Sequence, residues 1–247
     1  MIGNSWGYPA QALNRSHEAL TLAQELAHPF SLAFALFSAA LCHHLRREGP
    51  AVQERAEALI ALSSEQGFTA FVAWGTMLRG WALVEQGEVE EGMAQTRQGL
   101  AALRATGVEV IQVQWLLLLA EVYGKGGQDD EGFTVLAEAL AMVRKNGTLV
   151  REAELYRLKG ELTLQQSSVQ RLGSEAEEYF LKAVEIARKQ QAKSLELRAV
   201  MSLSRLWQQQ GKKEEARQLP AEIYGWFSEG FDTKDLQEAK VLLQDLV

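Results

Sequence analysis

Small residues recur along this chain at intervals of forty positions, and this spacing constrains the fold more than any other feature. Ala40, Gly80, Ala120 and Gly160 are each forty residues apart, and Ser204 follows after forty-four. Two further series have the same period at other positions of the repeat. They are Gly7, Gly87, Gly127 and Gly211, and Ala12, Val52, Gly92, Gly132, Ala176 and Ala216. One period shared by several series indicates a repeat array, in which each unit packs mainly on its neighbours.

Residues 69–107 show what one repeat contains. Apolar residues recur at three- and four-residue spacings on both sides of Gly87, which is typical of helices, and Gly107 stands where the second helix should end. Each repeat is therefore predicted to be an inner helix followed by an antiparallel outer helix. Gly80 and Gly92 predict a close contact between these helices, because glycine inside a helix costs about 1 kcal/mol relative to alanine.

The spacing within the repeat resembles the tetratricopeptide pattern. A small residue is followed by leucine or an aromatic residue after three positions, by glycine after seven, and by another small residue after twelve, as in residues 80–92 and 120–132. The standard unit has about 34 residues, so longer helices are expected here. The resemblance implies an all-α fold, a right-handed α-solenoid of tetratricopeptide-like helix pairs with a C-terminal capping helix.

Three longer stretches resemble the C-terminal repeat region of bacterial signalling proteins that join a nucleotide cyclase domain, an AAA-type ATPase and such repeats. They are residues 8–36, residues 192–243 and the run AELYRLKGEL at 153–162. The resemblance covers nearly the whole chain. It implies an interaction or sensor arm and brings no catalytic motif with it.

The repeat register makes residues 1–247 one tetratricopeptide-like repeat domain. An outer helix without an inner partner is predicted at 9–27, because Gly7 occupies the turn position before an outer helix, so the chain is expected to be a fragment of a longer protein. A polar insertion at 165–173 predicts a longer loop, and Pro220 should kink or end its helix. The predicted repeats and capping helix are 29–67, 68–107, 108–147, 148–191, 192–227 and 232–246.

Composition argues against several classes of protein. The net charge of −7 disfavours a nucleic-acid or anionic membrane surface. The single Cys42 excludes an internal disulfide framework, and the longest apolar run, residues 115–120, is too short to span a bilayer. Residues 1–9 lack the basic stretch and apolar core of a signal peptide. A cytoplasmic location is therefore expected, with no nucleic-acid partner and no membrane association.

No combination of residues in the sequence indicates catalysis. His43 and His44 point about 100° apart on a helix, so they cannot converge with Cys42 on one metal ion, and packing or capping is the favoured interpretation. In residues 124–127, Lys125 is followed by glycine, whereas a phosphate-binding loop needs serine or threonine there. We expect no catalytic residue, no metal and no cofactor, and we expect the chain not to be an enzyme.

The strongest candidate for a binding surface lies on the inner helices. In tetratricopeptide arrays these helices line a groove, and the groove positions here are aromatic or apolar in the first repeats and charged in the later ones. The candidate groove-binding residues are Phe34, Phe37, Leu41, Trp74, Met77, Trp81, Glu154, Arg157, Arg198 and Arg205. Exposed apolar patches mark binding sites. Aromatic stripes at helical spacing also form core, however, and the sequence leaves both alternatives open.

The sequence therefore predicts a non-catalytic protein-interaction or effector-sensing module of a signalling ATPase or cyclase. It would bind a protein segment or a small effector in the groove. The expected partner is a protein or peptide, or upstream domains of the same chain. The alternative is an architectural or homo-oligomerisation scaffold arm.

Overall fold

The computed structural model describes residues 7–108, 112–146, 151–166 and 170–246. Within these ranges the chain forms twelve α-helices and no β-strand. The all-helical fold predicted from the forty-residue spacing is confirmed. The helices are α1 (Pro9–Glu25), α2 (Pro29–Leu45), α3 (Gly49–Gln66), α4 (Thr69–Glu85), α5 (Val89–Ala105), α6 (Gln112–Lys125), α7 (Asp129–Asn146), α8 (Glu152–Gln165), α9 (Gln170–Lys189), α10 (Lys193–Gln209), α11 (Lys213–Tyr224) and α12 (Lys234–Asp245).

Inner and outer helices alternate along the chain. Outer helices α3, α5, α9 and α11 each pack on the inner helix that precedes them. Inner helices of successive repeats also contact each other, in the pairs α2–α4, α4–α6 and α8–α10. The last helix, α12, packs on both α10 and α11. This arrangement of stacked helix pairs is an α-solenoid.

The turn between an inner and an outer helix has the same backbone geometry in several repeats. Gly87, Gly127 and Gly211 have φ angles of 94°, 66° and 78°, in the left-handed region that favours glycine. At the first of these turns the Glu88 amide donates to the Leu83 carbonyl oxygen at 2.9 Å, which closes the end of α4. Arg47 takes the equivalent place in the preceding repeat, with a φ of 61°. The periodic glycines are therefore helix terminators.

Gly80 of α4 and Gly92 of α5 lie where these two helices touch. A Cβ atom on Gly80 would lie 2.6 Å from the Gly92 carbonyl oxygen, and a Cβ atom on Gly92 would lie 2.6 Å from a methyl group of Val84. Both distances are too short for a real side chain, so only glycine permits this approach. The close contact predicted from the sequence is confirmed.

Gly160 of α8 makes room for a ring. A Cβ atom there would lie 2.5 Å from a ring carbon of Phe180, a fully buried residue of α9. Glycine at this position therefore lets an aromatic side chain fill the space between the two helices.

The described residues form two compact units. The first lies within 10–128, and the second comprises described residues of 7–9 and 129–246. In the second unit the rings of Tyr8 and Trp226 meet edge to face, with centroids 5.7 Å apart. Tyr8, just before α1, therefore packs against the segment that follows α11.

Two predicted boundaries differ from the structure. Helix α8 ends at Gln165 and α9 already begins at Gln170, so the insertion predicted as a loop partly lengthens α9. Helix α11 continues past the buried Pro220 to Tyr224, so the helix does not end at the proline. Residues 167–169 and the repeat boundary predicted at 147–148 lie outside the described residues.

Candidate interaction site

The aromatic stripe predicted for the inner helices lies mostly in the core of the first unit. Trp74 is 9% exposed, and four further predicted residues are more deeply buried, namely Phe37, Leu41, Met77 and Trp81. Phe34 alone among the predicted aromatic residues stays at the surface, with 52% exposure. Of the two alternatives left open by the sequence, core describes these five buried residues, and an open groove does not.

Direct packing between successive inner helices explains this burial. Phe37 of α2 stacks on Trp74 of α4 with ring centroids 4.7 Å apart, and Trp74 stacks on Trp115 of α6 at 6.1 Å. Phe37 and Trp74 each fill the space between their own helix and the next inner helix. Phe34 sits one turn earlier on α2, and its ring centroid lies 6.3 Å from that of Phe37.

The carboxylate of Glu121 accepts a hydrogen bond from Trp81 at the edge of this core. The Trp81 ring nitrogen Nε1 donates to Oε2 of Glu121 on α6 at 2.9 Å. His44 of α2 packs edge to face against the Trp81 ring, and its Nε2 lies 3.4 Å from the same carboxylate oxygen. Three successive inner helices therefore meet at one partly buried carboxylate.

His43, the neighbour of His44, pairs with a different carboxylate, that of Glu48. Its Nδ1 lies 2.5 Å from Oε2 of Glu48, while Arg46 donates from Nε to Oε1 at 2.7 Å. Burial alone would raise the pKa of Glu48, but these hydrogen bonds outweigh burial and lower it. His43 and His44 are thus buried and hydrogen-bonded or packed residues, as predicted.

The four charged residues predicted for the site are all on the inner helices of the second unit. Glu154 of α8 is buried, and its Oε1 receives Nη2 of Arg157 at 2.6 Å and Nη1 of Arg198 at 2.9 Å. Arg157 also bonds to Glu161, which accepts a hydrogen bond from Ser202 Oγ at 2.9 Å. One network of charges therefore joins α8 to α10.

Two further ion pairs join α10 to α12. Nε of Arg198 lies 3.9 Å from Oδ2 of Asp235, and Nη2 of Arg205 lies 3.0 Å from Oε2 of Glu238. The Arg205 side chain is 45% exposed, whereas Arg157 is buried. Of the predicted charged residues, Arg205 is therefore the one that presents its charge to solvent.

The buried part of the network has a structural role. Removing one partner of a buried ion pair typically costs about 3–5 kcal/mol, because the other charge stays buried without compensation. Exposed pairs contribute only about 0–1 kcal/mol. Glu154, Arg157 and Arg198 therefore hold α8 and α10 together, and Arg205 is available for contact with a partner.

Comparisons with known proteins identify the fold. No family model and no curated protein matches the chain. The apo form of RapI is similar in structure, with a TM-score of 0.62 at 13% sequence identity, over 99% of this chain and 70% of the RapI chain. A Podosopora anserina protein named as a kinesin light chain, with nearly identical TPR-like repeats, gives a TM-score of 0.50 at 19% identity over 80% of this chain and 95% of its own. The chain has a tetratricopeptide-like repeat fold.

In this tetratricopeptide-like fold, residues at the same register of neighbouring repeats face each other. Trp81 contacts Glu121, and Glu85 pairs with Lys125, each forty positions later. Sequence reasoning missed these pairs, although the forty-residue period could have revealed them. It also missed Asp235 and Glu238, because α12 lies outside the repeat register.

The described residues contain neither a membrane-spanning helix nor a metal-binding cluster. None of their helices has an apolar stretch of the length and hydropathy needed to cross a membrane. No group of three or more His, Cys, Asp or Glu side chains among them is placed to hold a metal ion.

Proposed function

We propose that this chain is a non-catalytic protein-interaction module, and that it binds a segment of a partner protein on the inner face of α8 and α10. The repeat fold supports this, because stacked inner helices offer an extended surface for contact. Arg205 carries the proposal, since it is a half-exposed charge on the inner helix α10.

The resemblance to bacterial cyclase and AAA-type ATPase proteins supports a place in signalling. In this proposal the module is the repeat arm of such a protein in the cytoplasm, and occupancy of the inner face is passed to the upstream domains. The net charge of −7 supports a protein or peptide partner over nucleic acid.

A selection from a random peptide library, displayed on phage and carried out on the purified full chain, tests the proposal. We expect enriched peptides to lose at least about tenfold in affinity for Arg205→Ala, because exposed charges steer and orient a partner. The matched control is Arg217→Ala, an exposed arginine on the outer helix of the same repeat. Failure to enrich any peptide, or an equal loss with the control, contradicts the proposal.

A specific apolar surface favours homo-oligomerisation as a second candidate function. Four apolar side chains at the end of α1 and the start of α2 are each more than half exposed: Leu22, Leu26, Phe30 and Phe34. Exposed apolar patches mark interfaces.

Sedimentation velocity over a range of concentrations tests homo-oligomerisation. The mass of the parent chain should rise with concentration, and the mass of the double variant Phe30→Ser with Phe34→Ser should not. A parent chain that stays monomeric contradicts this candidate.

A further inference from the structure

An open cleft lies between α10 and α12 in the second unit. Its volume is about 480 Å³, which is enough for one or two side chains of a partner. Leu242 is buried at its base, and the neighbouring Val241 is 54% exposed although it is apolar. The cleft therefore offers an apolar contact on a helix that is otherwise rich in charge.

The charges around this cleft do not balance. Glu238 and Asp245 are seven residues apart on α12, so they lie on one face of the helix two turns from each other. Arg205 neutralises Glu238 through their contact at 3.0 Å. Asp245 is exposed and makes no ion pair with another described residue. One negative charge is therefore left beside the apolar contact.

We propose that this cleft binds a segment of a partner protein that presents a basic side chain next to a large apolar one. The apolar side chain packs on Val241 and Leu242, and the lysine or arginine pairs with Asp245. Gln208 and Gln237 also line the cleft, and each amide can both donate to and accept from the main chain of the segment. This inference rests on the proposed function, because it names the partner chemistry of an interaction module.

Other occupants fit the cleft less well. An acidic segment would place its carboxylate beside Asp245, and like charges at contact repel each other. A small apolar ligand needs an enclosed and mainly apolar pocket, whereas most side chains around this cleft are polar or charged. A segment with both a basic and an apolar side chain matches both features.

Three fluorescein-labelled peptides of equal length test the class of partner by fluorescence anisotropy with the full chain. One combines lysine with leucine, one combines glutamate with leucine, and one combines lysine with serine. We expect the lysine–leucine peptide to bind at least about tenfold more tightly than either of the others. Its affinity should fall as salt is added, because exposed ionic contacts are screened.

Variants of the chain test the location. Asp245→Asn should weaken binding of the lysine–leucine peptide by roughly three- to fivefold, as expected for one exposed ion pair. Val241→Ser should weaken it by about tenfold, because an apolar contact is lost. Glu214→Gln is the matched control, since it removes an exposed carboxylate from α11 outside the cleft, and it should bind as the parent does.

The outcomes separate this inference from the proposed function. If library peptides depend on Arg205 but the lysine–leucine peptide binds no better than the glutamate–leucine peptide, the cleft inference is overturned and the interaction module stands. If the lysine–leucine peptide binds and the double variant Val241→Ser with Asp245→Asn binds equally well, the cleft inference is also overturned. If neither the library nor the peptides bind, both proposals fail.

Discussion

Trp81 and Glu121 stand forty residues apart in the chain and share a hydrogen bond of 2.9 Å between the indole Nε1 and the carboxylate Oε2. Trp74, seven residues earlier on the same helix, has a buried ring nitrogen without an acceptor among the described residues. Two tryptophans of the same helix therefore differ in whether their N–H group stabilises the fold.

This difference predicts unequal effects for one conservative substitution. Trp81→Phe removes a donor from the partly buried Glu121 carboxylate, whereas Trp74→Phe removes an N–H group that has no partner to lose. We expect the free energy of unfolding to fall by about 1–3 kcal/mol more for Trp81→Phe. Urea unfolding of both variants measures this, and equal losses would show that the bond contributes nothing.

A second prediction separates core from surface in the aromatic stripe. Trp74→Ala should cost about 3–5 kcal/mol, since it empties a site between the stacked rings of Phe37 and Trp115. Phe34→Ala on α2 should change stability by less than about 1 kcal/mol, because that ring is half exposed. Thermal melting gives both values. An unchanged melting temperature for Trp74→Ala would contradict a role for Trp74 in the core.

Two glycines inside helices should respond in opposite directions to alanine. Gly80→Ala should destabilise by about 1–3 kcal/mol, because its Cβ would meet the backbone of α5. At Gly173 of α9 the nearest atom to a Cβ is Nε2 of Gln210 at 3.6 Å, an ordinary contact. There alanine should stabilise by up to about 1 kcal/mol through helix propensity. In melting experiments, a Gly80→Ala variant that melts at or above the parent temperature contradicts the close approach of α4 and α5.

The left-handed turn positions predict a stabilising substitution. Gln191 has a φ of 54°, which costs a residue with a side chain about 1–2 kcal/mol. Gln191→Gly should therefore raise stability by about 1 kcal/mol, or the melting temperature by about 2–4 °C. Gly211→Ala is the reverse experiment at a φ of 78°, and it should lower the melting temperature by a similar amount.

Glu177 predicts a pH dependence of stability. Burial alone would raise the pKa of Glu177, but hydrogen bonds from Trp207 Nε1 at 2.8 Å and Lys212 Nζ at 3.0 Å outweigh it and lower the pKa. A carboxylate whose pKa is lower in the folded state stabilises the fold above its unfolded pKa, and this contribution is lost as pH falls through the folded pKa.

We therefore expect Glu177→Gln to be less stable than the parent at neutral pH. The difference should shrink as pH falls below about 4, where an unfolded glutamate becomes protonated. Urea unfolding at a series of pH values measures it. A difference that stays constant down to about pH 3 would show that ionisation of Glu177 does not contribute.

The turns and the close helix contacts could be predicted because each depends on local geometry. A left-handed backbone conformation favours glycine wherever it occurs. At Gly80 and Gly92 the two helices are too close for any residue with a Cβ atom. Burial of Phe37 and Trp74 could not be predicted, since it depends on the distance between successive inner helices. The periodic pattern does not specify that distance.

The charged end of the site was only partly predictable. Glu154 and Arg198 occupy the same register in successive repeats, so the period places them together. Asp235 and Glu238 come from α12, which has no counterpart in the repeats, so no periodic argument could pair them with Arg198 and Arg205.

The pairs Trp81–Glu121 and Glu85–Lys125 mean that the repeats of this protein are not interchangeable modules. A repeat transplanted alone would carry half of each pair, and it would meet an unrelated residue forty positions away. Shuffled or shortened arrays built from this chain therefore need to keep neighbouring repeats together. A new junction should not separate Trp81 from Glu121 or Glu85 from Lys125.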